Sequence, residues 1–189
     1  MGRLIVEQMV SADGFAADAR GSVARLAPPF DDGQSALSQL RMLEEVDAIL
    51  MGRRTYELFA DYWPRQPTTG GDPVAGPINA LPKHVVSATL RRAPWGDYAS
   101  ARVEVGSPRD IARRLTTQYQ GDVIVWGSLT LVGALLQQKE VDHLRLRVVP
   151  VLLGEGLRLA PGLRDDRRLT LVGVEWHPSG HTTLAYDVG

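Results

Sequence analysis

Short apolar runs that stop at a glycine and lead directly into a helical pattern set the strongest constraint on this chain. Residues 47–51 form one such run before Gly52, and a helix is predicted from Arg53. Residues 122–126 form a second run before Gly127. Runs of this length and composition are typical of strands buried on both faces. Alternation of such strands with helices predicts an α/β protein whose central sheet is mostly parallel and flanked by helices.

The remaining elements extend this pattern over 189 residues, a length that suits a single domain spanning 1–189. Residues 169–176 and 181–188 predict a closing antiparallel hairpin around Pro178-Ser-Gly180. Further strands are predicted at 3–10, 84–87, 103–105 and 141–149, and further helices from Ser35, at 107–120 and at 129–136.

Residues 64–82 interrupt the alternation with five prolines and three glycines. Proline removes a backbone donor and glycine adds backbone entropy to the unfolded chain, so this density predicts no regular element. A segment of this length without structure is uncommon inside a domain and is often functional. We therefore expect a surface loop, with a lid as one role for it.

Composition excludes several classes of function. The 21 basic side chains are balanced by 22 acidic ones, which argues against a nucleic-acid-binding protein. The chain has no cysteine, so disulfides, thiolate nucleophiles and cysteine zinc sites are excluded. The N-terminal residues lack the apolar core of a signal peptide, and no apolar run approaches the ~20 residues of a membrane helix. We expect a cytoplasmic protein that does not bind a membrane.

The two strand-to-helix turns share a design that suits phosphate. Glycine allows a ligand to approach the backbone, and the first N–H groups of a helix carry partial positive charge without an acceptor. Two such turns predict a ligand with separated phosphates, such as a dinucleotide with a 2′-phosphate. The alternative is that both are ordinary turns, since the usual G-x-G-x-x-G and P-loop patterns are absent. Polar side chains that could assist are Arg53, Arg54, Thr55 and Ser128.

Histidine and serine patterns give little support to other chemistry. His177 and His181 are four residues apart but flank a predicted hairpin turn, where helical ligand spacing does not apply, so we predict no metal site. Ser128 follows a strand and a glycine but lacks the second glycine of a nucleophile elbow.

Three aspartates are candidates for a site. Asp13 follows the first strand at the expected ligand edge of the sheet, where it would be a substrate-binding or acid/base catalytic carboxylate. The alternative is a turn aspartate before Gly14. Asp31 and Asp32 would either contribute to a site or act as a charge pair at a helix N-terminus.

Several motifs in this order resemble the dihydrofolate reductase-like superfamily, in particular the group related to the C-terminal reductase domain of the bifunctional riboflavin-biosynthesis deaminase-reductase. The set spans nearly the whole chain, although each motif alone is weakly specific. The matching segments are Met9–Phe15, Asp47–Tyr56, Lys83–Ser87, Val125–Ser128 followed by Leu135-Leu136, Val141–Leu144 and Pro150–Gly156.

The resemblance implies a homodimeric reductase that uses NADPH to transfer a hydride to a small heterocycle of pterin or pyrimidine type. The cofactor positions it implies are Gly52, Arg53 and Thr55 at the first helix terminus, Ser87 and Thr89 near the adenosine, and Gly127, Ser128, Leu129 and Thr130 around the pyrophosphate. The substrate positions it implies are Asp13 and Gly14 beside the nicotinamide, with Pro150 to Gly154 on the opposite wall.

The resemblance departs from dihydrofolate reductases on the first helix. Those enzymes keep an acidic residue at the position of Ala36, and Asp32 is displaced from it by about one helical turn. The match therefore indicates a cofactor more firmly than a substrate. The alternatives are a non-catalytic dinucleotide-binding or regulatory module, and a dimeric scaffold in which 141–149 forms a sheet edge.

Overall fold

The computed structural model describes residues 2–27, 33–67 and 69–189. The strands are β1 Leu4–Ser11, β2 Phe15–Ala17, β3 Val46–Gly52, β4 Lys83–Val86, β5 Ala93–Trp95, β6 Tyr98–Glu104, β7 Asp122–Trp126, β8 His143–Val149, β9 Leu157–Arg158, β10 Leu169–Trp176 and β11 Thr182–Val188. The α-helices are α1 Gly33–Leu43, α2 Arg53–Tyr62, α3 Ala75–Ala80, α4 Pro108–Gln118 and α5 Leu129–Gln137.

Within these described ranges, the main sheet has nine strands in the order β10-β11-β8-β1-β7-β3-β4-β6-β5. The six strands from β8 to β6 in that order pair in parallel. The C-terminal hairpin of β10 and β11 joins antiparallel to β8, and β5 pairs antiparallel with β6 at the other edge. The predicted fold class, a mostly parallel sheet with helices and a C-terminal antiparallel hairpin, is confirmed.

Successive strand residues point to opposite sides of the sheet, so apolar side chains lie on both faces. Helices cover both faces and bury these side chains. In β1, Leu4 and Val6 pack into a core with α4 and α5. Ile5, between them, packs into a second core with residues of α1, α2 and α3. The central strands β1, β3, β4 and β7 are therefore buried on both faces, which explains the apolar runs of β3 and β7.

The prediction of no regular element in 64–82 is wrong. A 3₁₀ helix covers Trp63–Arg65, and α3 follows at Ala75–Ala80. Pro64 and Pro77 lie in first turns, where the backbone N–H has no intrahelical acceptor, so proline is tolerated. Ile78 is 1% exposed. The second half of this segment therefore belongs to the core and is not a surface loop.

The prediction that 141–149 forms a sheet edge is also wrong. β8 pairs with β1 on one side and β11 on the other, so neither of its edges is exposed. The sheet ends instead at β5 and β10. Side chains of β10 are mostly exposed, with Trp176 at 76%. No helix in the described ranges is long and apolar enough to span a membrane.

A buried lysine lies at the start of β4. Lys83 is 4% exposed, its Nζ donates a hydrogen bond to the Asn79 carbonyl, and it lies 4.8 Å from the centre of the Trp95 ring. Burial lowers the pKa of Lys83 to about 8, because the charged ammonium loses its hydration. At a pH where Lys83 is protonated in the folded protein, its buried charge therefore lowers the free energy of unfolding.

Lys83→Met should remove a pH-dependent part of the stability. Between pH 8 and the unfolded pKa of about 10.4, the unfolded chain binds the proton more tightly, so the wild-type free energy of unfolding should rise with pH relative to the variant. The rise should be on the order of 2 kcal/mol, measured by urea unfolding across this range. Lys139→Met, which removes an exposed lysine, should keep the wild-type pH dependence. If Lys83→Met and the wild type showed the same pH dependence of stability, the lowered pKa assigned to Lys83 would be wrong.

Candidate functional site

The two strand-to-helix turns predicted as phosphate sites lie against each other. They follow β3 and β7, which are parallel neighbours with Leu50 opposite Val125. A Cβ atom on Gly52 would overlap the Ser128 hydroxyl, and one on Gly127 would lie 2.7 Å from Thr55 Oγ1. Each glycine therefore makes room for a hydroxyl of the other turn. The two predicted sites form one continuous surface.

The backbone of the second turn is left-handed at two consecutive residues. Gly127 has φ +57° and Ser128 has φ +53°, and Ser128 immediately precedes α5. A left-handed serine is strained by about 1 kcal/mol or more, which is common at sites that bind ligands. Neither Ser128 nor Gly52 caps its helix with a side chain. The starts of α2 and α5 therefore present partial positive charge at one surface.

The residues predicted near the adenosine end are also brought together. Arg53 pairs with Glu57 through its Nε at 2.7 Å, and its Nη1 donates to Thr89 Oγ1 at 3.1 Å. Ser87 Oγ accepts a hydrogen bond from the Thr89 amide at 3.3 Å. Arg54 is exposed and forms no ion pair within the described part of the chain. Arg53, Ser87 and Thr89 thus form a connected group beyond β3 and β4.

Asp13 joins the loop after β1 to the loop after β8. Its Oδ1 accepts hydrogen bonds from Ser11 Oγ at 2.6 Å and from the Leu153 amide at 3.1 Å. Its Oδ2 accepts one from the Gly154 amide at 2.7 Å. The Ser11 and Gly154 hydrogen bonds hold the pKa of Asp13 at about 2. The carboxylate is therefore ionised at neutral pH and suits positioning of the two loops better than proton donation.

The other predicted positions have different environments. Gly14 and Gly154 have φ +85° and +77°, and both face open space. Pro150 is exposed and lies against the hairpin turn at Gly180. Leu129 is half-buried and Thr130 exposed in the first turn of α5.

Of the histidine and aspartate pairs considered in the sequence, only the histidines lie among the described residues. His177 and His181 stack with their ring centres 4.1 Å apart. Asp31 and Asp32 lie outside the described residues. Where the structure is described, no group of three or more His, Asp or Glu side chains is placed to hold a metal ion.

Sequence reasoning missed a buried carboxylate in the middle of β1. Glu7 is 4% exposed, and its Oε1 accepts hydrogen bonds from Gln39 Nε2 at 2.8 Å and Trp126 Nε1 at 3.0 Å. Its Oε2 accepts one from Arg145 Nε at 3.2 Å. Glu7 therefore ties α1, β7 and β8 together beside the Gly127 turn. Two sequence features could have indicated this buried pair: a glutamate within an apolar strand, and arginines that alternate with apolar residues along 141–149.

Comparisons with known proteins identify the family to which this fold belongs. Residues 3–183 match the model of the RibD C-terminal domain. The uncharacterized protein YyaP of Bacillus subtilis (strain 168) is 25% identical over 186 residues, which cover 97% of this chain and 94% of YyaP.

Solved structures of low sequence identity share the fold. A putative riboflavin biosynthesis protein from Shewanella sp. PV-4 has a TM-score of 0.76 at 20% identity, covering 99% of each chain. The diaminohydroxyphosphoribosylaminopyrimidine deaminase/5-amino-6-(5-phosphoribosylamino)uracil reductase of Thermotoga maritima has a TM-score of 0.67 at 16% identity, covering all of this chain and 57% of that one. Dihydrofolate reductase from Enterococcus faecalis, complexed with NADP(H), has a TM-score of 0.62 at 12% identity, covering all of this chain and 97% of that one.

The predicted dihydrofolate reductase-like fold is thus confirmed by structures, and the family match extends over nearly the whole sequence. The chain belongs to the RibD C-terminal domain family.

Proposed function

We propose that this protein is an NADPH-dependent reductase that transfers a hydride to a small heterocycle of pterin or pyrimidine type. The observation that carries the proposal is the single surface formed by the Gly52 and Gly127 turns, where two helices begin without side-chain caps. Two proteins that share this fold support it. They are the deaminase/reductase of Thermotoga maritima and the dihydrofolate reductase of Enterococcus faecalis, whose structure contains NADP(H).

The dinucleotide would lie along the carboxyl ends of the parallel strands, where ligands of such sheets bind. Its pyrophosphate would bind at the start of α5, from Gly127 to Thr130, with Thr55 and Gly52 on the adjoining turn. Arg53, Arg54 and the Ser87–Thr89 group would hold the adenosine end and its 2′-phosphate. NADPH supplies the hydride, so the protein contributes orientation and a shielded pocket.

The substrate would bind between the loops that follow β1 and β8. Asp13 fixes these loops to each other, and an apolar cluster of Leu26, Val149 and Leu153 lies beneath them, with Met9 packed against it. Asp13 and Gly14 would face the substrate from one side, and Pro150 to Gly154 from the other. We assign Asp13 a positioning role because it stays ionised at neutral pH. The cytoplasmic location and the homodimer stay predictions.

A non-catalytic dinucleotide-binding module is the second candidate. The observation that favours it is the state of Asp13, the predicted catalytic residue, whose carboxylate is occupied by hydrogen bonds and has a pKa of about 2. Such a group does not donate a proton near neutral pH. In a reductase, the proton would come from water or from the substrate.

Thr130→Asp should weaken NADPH binding without unfolding the protein. Thr130 is exposed in the first turn of α5, where a carboxylate favours the helix but repels a pyrophosphate. Titration of NADPH, followed by quenching of tryptophan fluorescence, should show saturable binding by the wild type and a Kd about tenfold higher or more for the variant.

Thr170→Asp is the matched control for charge, because it makes the same substitution at an exposed position of edge strand β10. Its affinity for NADPH should equal that of the wild type. Absence of saturable NADPH binding by the wild type would overturn both candidate functions. Binding without NADPH oxidation across a panel of pterins, pyrimidinediones and quinones would favour the non-catalytic module.

Arg53→Ala or Arg54→Ala should reduce the preference for NADPH over NADH. An arginine on the 2′-phosphate makes charge-assisted hydrogen bonds that NADH lacks, so loss of the contact should lower the affinity ratio about tenfold. The ratio is measured by titrating each variant with both dinucleotides. An unchanged ratio for both variants would show that neither arginine recognises the 2′-phosphate.

A further inference from the structure

An arginine that forms no ion pair with a carboxylate of the described residues lies on the α1 face of the sheet. Arg147 in β8 donates from Nη1 to Gln39 Oε1 at 3.1 Å and from Nη2 to Ser35 Oγ at 2.9 Å. Both acceptors are neutral, and no carboxylate of the described residues forms an ion pair with Arg147. Arg145, two residues earlier on the same face, is instead paired with Glu7. Among the described residues, Arg145 therefore has an ion-pair partner and Arg147 has none.

The position of Arg147 places this charge close to the proposed dinucleotide surface. Arg147 is opposite Met9 of β1, and Glu7 of β1 is opposite Trp126, which precedes Gly127. β1 is the single strand between β7 and β8. Two strand spacings amount to about 10 Å, so a small molecule could reach from Arg147 to the Gly127 turn.

A buried histidine beside Arg147 also has unused hydrogen-bonding capacity. His177 is 4% exposed and its Nδ1 has no hydrogen-bond partner, while its Nε2 lies 3.4 Å from Thr183 Oγ1. His177, Arg147 and Ser35 line the same narrow crevice between α1 and the sheet. A buried polar atom without a partner is costly, but the crevice has no space in which a ligand could reach His177 Nδ1. A ligand on this side would contact the mouth of the crevice, where Arg147 is half-exposed.

We propose that Arg147 binds an anionic group of the substrate, either a carboxylate or a phosphate. The inference rests on the proposed reductase function, because it assigns the mouth of the crevice to the substrate pocket. Arg147 also reaches the first turn of α1 through Ser35. The charge that Arg147 offers to a substrate on this side of the pocket is positive.

Binding of simple aromatic anions tests the proposal without requiring turnover. Benzoate and phenyl phosphate are titrated into the wild-type protein, with and without NADPH, and benzamide serves as the neutral probe of the same shape. Saturable binding of either anion but not of benzamide is expected. The anion that binds with the higher affinity shows whether the substrate carries a carboxylate or a phosphate.

Arg147→Met should weaken anion binding tenfold or more, since charge-assisted hydrogen bonds to the guanidinium are lost. Arg113→Met is the matched control, because it removes the same charge from α4 on the other face of the sheet. It should bind the anions as the wild type does. Anion affinity that is unchanged in Arg147→Met, or equally reduced in Arg113→Met, overturns the proposal.

A spectroscopic measurement covers the case in which Arg147→Met fails to fold. The Nε–Hε signals of the arginines are followed by NMR in the wild-type protein, and Arg147→Lys identifies the signal of Arg147. This signal should shift saturably with benzoate or phenyl phosphate. A constant Arg147 signal while other arginine signals shift places the anion elsewhere and overturns the proposal.

The dinucleotide titration separates this proposal from the proposed function. Arg147→Met should bind NADPH with wild-type affinity, and the anions should not displace NADPH. If NADPH binds but no anion is recognised, the anionic substrate is wrong and the reductase proposal stands. If the anions displace NADPH, they occupy the phosphate surface of the dinucleotide, and the assignment to Arg147 fails.

Discussion

The packing of two glycines against two hydroxyl groups across neighbouring strands is the constraint on which the rest of the site depends. Parallel strands lie about 4.8 Å apart, so helices that begin directly after β3 and β7 must start side by side. Side chains larger than hydrogen at positions 52 and 127 would meet Ser128 and Thr55. Because both positions are glycine, the partial charges of two helix starts converge on one surface rather than on two separate sites.

A buried carboxylate organises the neighbouring side of the sheet. Glu7 is compensated by Arg145 and by hydrogen bonds from Gln39 and Trp126. Removing one partner of a buried pair leaves an uncompensated charge, so the elements that carry these partners are held in a fixed arrangement. Trp126 immediately precedes the Gly127 turn, and Gln39 also accepts from Arg147. The network therefore links the surface at the Gly127 turn, where we propose that a dinucleotide binds, to the side of α1 on which a substrate would bind.

The sequence predicted the two turns because their information is local: an apolar strand, a glycine and a helix follow one another directly. Their contact depends on β3 lying beside β7, and an alternating pattern of strands and helices does not specify strand order. The same limit applies to Glu7, whose pairing with Arg145 depends on the register of β1 against β8. The density of proline misled the prediction for 64–82, because proline is compatible with the first turn of a helix. Asp13 was predicted at the correct edge, but its partners at Leu153 and Gly154 come from a distant loop.

Two fixed charges of opposite sign would orient an anionic substrate in this pocket. Asp13 lies beyond the end of β1 and stays ionised, because its hydrogen bonds hold its pKa at about 2. Arg147 lies within β8, opposite Met9, so the two charges are separated along the strand direction. Repulsion from Asp13 and attraction to Arg147 both direct the negative group of a substrate toward α1. The uncharged part of the molecule would then lie over Met9, nearest the Gly127 turn, where a bound nicotinamide would deliver its hydride.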